Sequence, residues 1–129
     1  MNQPASPWRT PVRIAWALYT LALLTATHWP GLVVDGPVDW IDKIIHCGVF
    51  CIWTCLFYMS GLVLGQRRLL WTVLIGFGYA IFDETTQPMF DRVFDLLDLA
   101  ADALGVLLAA GLITATRRVW PRFRGDLAE

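Results

Sequence analysis

The sequence is poor in charged residues. Asp, Glu, Lys and Arg together make up 16% of its 129 residues, whereas soluble domains carry about 25%. Hydrophobic residues make up 57%, and a chain this short cannot bury so much apolar surface in a single core. These proportions exclude a disordered chain and a typical soluble enzyme. They indicate a small membrane protein that crosses the bilayer several times.

Other common signals are also missing. The 3 cysteines are an odd number within one apolar stretch, so the sequence predicts neither a disulfide framework nor a zinc site. It contains no Gly-rich phosphate loop, no serine nucleophile motif and no His-Glu-x-x-His sequence. The net charge of -1 gives no sign of a nucleic-acid partner, and we expect none. Short catalytic motifs therefore do not identify a reaction.

Four hydrophobic stretches are long enough to cross a bilayer, which takes about 20 mostly apolar residues. They cover residues 11–28, 43–64, 69–87 and 98–116. The first stretch follows Arg9 and Arg13 as a signal peptide would, but it lacks a small-x-small cleavage site, and we interpret it as a retained anchor. The sequence thus predicts an all-α fold, a four-helix transmembrane bundle that forms one domain over residues 1–129. The segment 88–97 is an outer connection or a short interfacial helix.

Basic residues predict the orientation of this bundle. They precede the first stretch, join the second to the third and follow the fourth, at Arg9, Arg13, Arg67, Arg68, Arg117, Arg118, Arg122 and Arg124. The two other connections hold only Lys43 and Arg92 as basic residues. Because positively charged loops stay in the cytoplasm, we predict that both termini are cytoplasmic and that the loops 29–42 and 88–97 face outward.

Acidic residues collect on the predicted outer side, and some of them lie within the hydrophobic stretches. Asp83 and Glu84 end the third stretch, and Asp102 lies about 6 Å deeper than Asp98 at roughly 1.5 Å per residue. An ionised carboxylate at the bilayer centre costs about 2.5–3.5 kcal/mol. Such residues turn toward the protein interior or a wet cavity, and they are candidates for a functional role.

The acids around the start of the fourth helix form a stripe if one helical phase runs through them. At about 100° per residue, four acids and two small residues point in nearly the same direction: Asp91, Asp95, Asp98, Asp102, Gly105 and Ala109. Since small residues let another helix approach closely, this face is predicted to point into the bundle. Asp95 and Asp98 can equally be helix-start residues that favour the helix dipole. Three further glycines, Gly76, Gly78 and Gly111, also suit close helix packing.

Further polar residues belong to the same predicted side. Asp42, Lys43 and His46 share one face at the start of the second helix, where Asp42 can orient the imidazole and Lys43 can anchor at the headgroups. His46 is either a structural hydrogen-bonding residue or a group for acid–base work or metal ligation. Arg92 either pairs with neighbouring acids or clamps a phosphate or carboxylate ligand. Gln87 is in phase to line the same pocket.

The order and spacing of these residues resemble the VanZ-like family. The matching pieces are Asp42-Lys43-x-x-His46, Glu84-x-x-Gln87, Arg92-x-x-Asp95-x-x-Asp98 and Asp102-x-x-Gly105. The family usually has Asn where Asp102 stands, and this difference is accommodated if Asp102 is protonated or shares a proton with Asp98. The resemblance implies a multi-pass protein of the bacterial cytoplasmic (inner) membrane. It also implies a link to cell-wall antibiotics or envelope lipids, because the family takes its name from a membrane protein linked to teicoplanin resistance.

Three hypotheses for the function stay open. The first is a binding protein whose outward acidic pocket contributes to glycopeptide (teicoplanin-type) tolerance or to envelope maintenance. The second is a metal-assisted membrane enzyme that acts on a lipid-linked substrate, with His46 and Glu84 as acid–base partners. The third is a buried polar network that only holds the helices in register, since removing one partner of such a network costs several kcal/mol.

These hypotheses define the candidate residues and partners. The binding candidates are Asp42, Lys43, His46, Glu84, Gln87, Arg92, Asp95, Asp98 and Asp102. Carboxylate ligands suit a divalent cation such as magnesium, calcium or manganese, for which Glu84, Asp98 and Asp102 are the candidate ligands. The expected partners are the lipid bilayer, a glycopeptide antibiotic or a lipid-linked cell-wall precursor, and a second copy of the chain.

Overall fold

The computed structural model describes residues 8–30 and 40–119. Most of these residues form four long α-helices, and no strand occurs in either described range. The helices are α1 (Arg9–Thr27), α2 (Ile41–Ser60), α3 (Arg68–Thr86) and α4 (Leu96–Val119), with a short 3₁₀ helix over Gln87–Phe90 between α3 and α4. The predicted all-α class with four helices is confirmed. Most of the loop 29–42, together with Arg122 and Arg124, lies outside the described residues.

Local sequence explains where α2 ends and where α4 begins. α2 ends at Ser60, before the predicted boundary at 64, because Gly61 adopts the left-handed conformation with φ 64° and its N–H donates to the carbonyl of Tyr58. α4 begins at Leu96, before the predicted boundary at 98, because Asp95 caps it. The Oδ1 atom of Asp95 accepts a hydrogen bond of 2.8 Å from the backbone N–H of Leu97.

α2 is the central helix of the molecule. It packs most extensively against α4 and also contacts α1 and α3, and α3 packs mainly on α4. Aromatic side chains fill the space between the helices: Phe50 and Trp53 are buried, and Trp53 stacks on Tyr79 with ring centroids 4.7 Å apart. This arrangement places the ends of α1 and α3 beside the starts of α2 and α4.

The stripe of small residues on α4 allows a close approach of α2, as the sequence predicts. Gly105 is buried, and a Cβ atom at this position would lie 2.2 Å from the carbonyl oxygen of Cys47 on α2. Ala109, further along α4, is fully buried. The α2–α4 contact therefore brings backbone against backbone, and it fixes where the polar residues of the two helices meet.

The remaining glycines behave differently from one another. Gly76 is buried, and a Cβ atom there would lie 3.1 Å from the side-chain methyl groups of Val106, which agrees with close packing. The prediction is wrong for Gly78 and Gly111. Both are exposed, and a Cβ atom at either position would meet no other atom within 4 Å. Only a glycine that faces another helix contributes to close packing.

Among the described helices, α2 and α4 are long and apolar enough to cross a membrane. Large hydrophobic side chains on their outer faces are exposed, including Ile52 and Leu112, which are 51% and 57% exposed. α3 is less apolar because Asp83 and Glu84 lie near its end. The apolar exterior of α2 and α4 is typical of helices that face lipid.

Candidate functional site

Charge is segregated between the two ends of the molecule. The acidic end, where α1 and α3 finish and α2 and α4 begin, holds Asp42, Asp83, Glu84, Asp91, Asp95, Asp98 and Asp102. The arginine end, at the opposite ends of the same helices, holds Arg9, Arg13, Arg67, Arg68, Arg117 and Arg118. At the arginine end, Arg13 donates to the carbonyls of Ser60 and Gly61, where α2 finishes. The polar residues that the sequence singles out all lie at the acidic end.

His46 is the central side chain of the acidic end. It is 8% exposed, and its Nδ1 lies 2.9 Å from Oδ1 of Asp102, which is fully buried on α4. Its Nε2 lies 3.9 Å from Oδ1 of Asp42 and 3.9 Å from Oδ2 of Asp98. The sequence predicted that Asp42 orients the imidazole. Asp102 does so instead, because the close α2–α4 contact brings it within hydrogen-bond distance.

Lys43 offsets part of the negative charge at this end. Its Nζ lies 2.8 Å from Oδ2 of Asp95 and 3.4 Å from Oδ2 of Asp42, and it also contacts Oδ1 of Asp98. The hydrogen bond from Lys43, with a further one from the N–H of Leu97, holds the pKa of Asp95 below its ordinary value. Lys43 thereby ties the start of α2 to the start of α4.

Glu84 connects α3 to the same cluster. It is fully buried, its Oε1 accepts a hydrogen bond of 2.9 Å from Nε2 of Gln87, and its Oε2 accepts one of 3.3 Å from the backbone N–H of Asp95. Gln87 is also buried, and its carbonyl accepts a hydrogen bond of 3.3 Å from the N–H of Arg92. Glu84 and Gln87, which are three positions apart in the sequence, thus share one buried site.

α1 also contributes side chains to the acidic end, and the sequence did not predict this contribution. The hydroxyl of Thr27 donates to Oδ1 of Asp83 over 2.9 Å, and Nε2 of His28 lies 2.8 Å from the hydroxyl oxygen of Thr86. These pairs are 56 and 58 residues apart in the sequence. The signal that could have found them is a second histidine at the predicted outer end of the first helix.

The helical phase does not run through the whole acid stripe. Asp91 is exposed, with φ 57°, and lies in a turn after the 3₁₀ helix, while residues 92–95 are not helical. The expected interfacial helix over 88–97 is therefore limited to the short 3₁₀ helix, whose start contains Pro88. Because α4 begins after Asp95, only Asp98 and Asp102 of the four acids share a helix face directed at α2.

A groove of about 350 Å³ opens at the acidic end. It is lined by Gln87, Asp91, Arg92, Val93, Phe94, Asp95 and Asp98. Three carboxylates and one guanidinium thus line a surface that also includes two hydrophobic side chains. Val93 at its edge is 84% exposed. Such a groove suits a ligand with positive or hydrogen-bond-donating groups and an apolar part.

Two groups of side chains at the acidic end can hold a metal ion. One is Asp42, His46 and Asp98, the other is His46, Glu84 and Asp102, and within each group the candidate ligand atoms lie within 4.8 Å of one another. The predicted set of Glu84, Asp98 and Asp102 is not one of these groups. Asp98 lies nearer the start of α4 than Asp102 and faces Asp42, and His46 belongs to both groups.

These features are those of a small helical membrane protein with a cluster of buried carboxylates and two histidines at one end. A family model described as VanZ/LLP1 matches residues 6–117. The chain belongs to this family, as the motifs around Asp42, Glu84 and Asp102 predicted. Comparisons with curated proteins and with solved structures gave no match.

Proposed function

We propose that this is a multi-pass protein of the bacterial cytoplasmic (inner) membrane, with four spans, both termini in the cytoplasm and the acidic end outward. The segregation of arginines to the opposite end supports this orientation, because basic residues near helix ends stay in the cytoplasm. Trp29 and Trp40 support a membrane–water interface at this end, although not its orientation. They flank the acidic end and are 59% and 57% exposed, as tryptophans at a membrane–water interface are.

The proposed function of the outward acidic end is to bind a ligand at the membrane surface and so contribute to tolerance of glycopeptide (teicoplanin-type) antibiotics. The observation that carries this proposal is the groove beside the buried pair Glu84 and Gln87, to which the backbone N–H of Asp95 is also hydrogen-bonded. Carboxylates within membrane helices are costly and are functional candidates by default. The link of the VanZ-like family to teicoplanin resistance directs the choice of antibiotic.

The charge of the groove narrows the chemistry of the ligand. Asp91, Asp95 and Asp98 line it together with Arg92. A ligand with several phosphates would be repelled by these acids, whereas amine and hydroxyl groups would find acceptors. The exposed hydrophobic residues at its edge, Val93 among them, favour a ligand that already lies at the membrane surface.

The test compares wild type with Glu84→Gln in a glycopeptide-sensitive host. Gln keeps the size of the side chain but removes its charge and one acceptor, so the contact with Gln87 and the backbone of Asp95 is altered. We expect wild type to raise teicoplanin tolerance and Glu84→Gln to lose most of that increase. The matched control is Thr85→Ala, because Thr85 is exposed and, within the described part of the chain, its hydroxyl bonds only to carbonyls of its own helix.

Membrane abundance, matched by immunoblot, separates function from folding in this test. Tolerance that Glu84→Gln retains in full would show that the buried network serves only to hold the helices together. If wild type gives no tolerance at verified abundance, the antibiotic role is wrong. Loss of tolerance in Thr85→Ala as well would mean that α3 tolerates no substitution in this region.

The His46–Asp102 pair favours a second candidate function, a metal-assisted enzyme that acts on a lipid-linked substrate such as a cell-wall precursor. A buried carboxylate that holds one imidazole nitrogen fixes the tautomer and leaves the other nitrogen either to move a proton or to hold a metal ion. Glu84 belongs to the same group of side chains as this pair. An enzyme converts such a substrate to a new product, whereas a binding protein leaves it unchanged.

A further inference from the structure

We propose that the acidic end binds one divalent transition-metal ion, held by Nε2 of His46 and by one carboxylate oxygen each from Asp42 and Asp98. This site adjoins the groove of the proposed function, because Asp98 lines both. The inference deepens the proposed function, because it names a metal cofactor for the same end of the molecule. Metal binding can nevertheless be measured whether or not the protein confers tolerance.

The three ligand atoms are already arranged around one point. Nε2 of His46 lies 3.9 Å from Oδ1 of Asp42 and 3.9 Å from Oδ2 of Asp98. Metal–nitrogen and metal–oxygen bonds of about 2.0–2.2 Å allow one ion to bridge two atoms about 4 Å apart. Small side-chain rotations would bring all three atoms to bonding distance of one ion.

The histidine itself points to a cation in this position. Its side chain is 10% exposed, and its Nδ1 is paired with Asp102, but Nε2 has no hydrogen-bond partner among the described residues. This nitrogen lies 3.9 Å from one oxygen of each of the two carboxylates. An imidazole whose second nitrogen is held by a carboxylate is the arrangement that orients histidine ligands in metal sites. Asp102 is therefore a positioning residue.

Lys43 leaves the proposed ligand atoms available. It contacts Oδ2 of Asp42 and Oδ1 of Asp98, whereas the site uses the other oxygen of each carboxylate. The deeper group with Glu84 is less suitable, because both carboxylate oxygens of Glu84 already accept hydrogen bonds, from Nε2 of Gln87 and from the N–H of Asp95. The ammonium group of Lys43 repels a second cation, so it limits the affinity of the site without occupying it.

The donor set selects the kind of metal. One imidazole nitrogen and two carboxylate oxygens suit manganese or zinc, whereas magnesium and calcium prefer oxygen ligands throughout. Three protein ligands leave at least one coordination position open for water or for a ligand in the groove. An open position is typical of metal sites that bind or transform a ligand rather than hold a fold together.

The test is manganese binding to the purified full-length protein, followed by electron paramagnetic resonance. We expect wild type to bind one Mn²⁺ per chain, with nitrogen coupling from an imidazole in the pulsed spectrum. Asp98→Asn and His46→Gln should weaken binding by more than Asp102→Asn, for which the expected loss is about tenfold to a hundredfold. Lys43→Met should tighten binding, because it removes a positive charge beside the ion.

Thr85→Ala is the control. Thr85 is exposed, does not line the groove and belongs to neither metal group, so binding should match wild type. Absence of Mn²⁺ and Zn²⁺ uptake by wild type would overturn the proposal, as would equal binding by Asp98→Asn. If His46→Gln does not fold, the metal affinity of Asp98→Asn and the nitrogen coupling in the wild-type spectrum decide whether the proposed ligands hold the ion. Metal uptake without antibiotic tolerance would leave the site standing and reject only the tolerance role.

Discussion

Single side chains join the helices at the acidic end, and His46 shows how. Its side chain extends from α2, is hydrogen-bonded to Asp102 of α4 and faces Asp98, which is also on α4. Spacing in the sequence placed Asp42 and His46 on one face, because both belong to one helix. It could not show that Asp102 holds the imidazole, because that contact spans 56 residues and depends on how α2 and α4 pack.

Asp95 carries a prediction at the residue scale. Since Lys43 and the N–H of Leu97 hold its pKa below the ordinary value, its ionised form stabilises the fold at neutral pH. Its contribution is present above the ordinary carboxyl pKa of about 4 and is lost as the pH falls through the lowered pKa. We expect Asp95→Asn to reduce the free energy of unfolding at neutral pH by up to about 1 kcal/mol, as for exposed ion pairs. The variant should also lose less stability than wild type as the pH falls.

Thermal unfolding in detergent, followed by circular dichroism at several pH values, measures this effect. Asn still caps a helix, so the variant isolates the charge from the cap. An acid-dependent loss in Asp95→Asn equal to that of wild type would show that the ion pair with Lys43 contributes nothing to stability.

At the scale of elements, the contact between α2 and α4 decides the geometry of the site. The hydrophobic stretches predicted four helices because their length and composition are sufficient signals. Their ends were less predictable, because they depend on single residues such as Gly61 and Asp95, which terminate and cap helices through local hydrogen bonds. The segment after Pro88 was predicted least well, since a turn at Asp91 interrupts the helical phase.

Two glycines of α4 give a matched prediction for this contact. Gly105→Ala places a methyl group 2.2 Å from the carbonyl oxygen of Cys47, and we expect a loss of roughly 1–3 kcal/mol or more from overpacking. Gly111→Ala meets open space, and we expect no loss or a gain of up to about 1 kcal/mol from helix propensity. Unfolding in detergent measures both. Equal stability of the two variants would contradict the close α2–α4 approach.

At the scale of the whole molecule, the separation of acids from arginines follows directly from the sequence. Four helices that alternate in direction bring every second connection to the same end, so charges that alternate along the chain collect at opposite ends. Which side chains pair with one another at each end could not be predicted in this way, because the pairing depends on the rotation of each helix about its axis. The contribution of Thr27 and His28 was missed for this reason.

The central claim is that the acidic end faces outward, and labelling of single cysteines tests it most directly. Cys47, Cys51 and Cys55 are first replaced, and a cysteine is then introduced either at Met89 of the acidic end or at Val119 of the arginine end, both 80% exposed. The account predicts that a membrane-impermeant maleimide labels Met89→Cys in intact cells and labels Val119→Cys only after the cells are permeabilised. Labelling of Val119→Cys but not Met89→Cys in intact cells would contradict it.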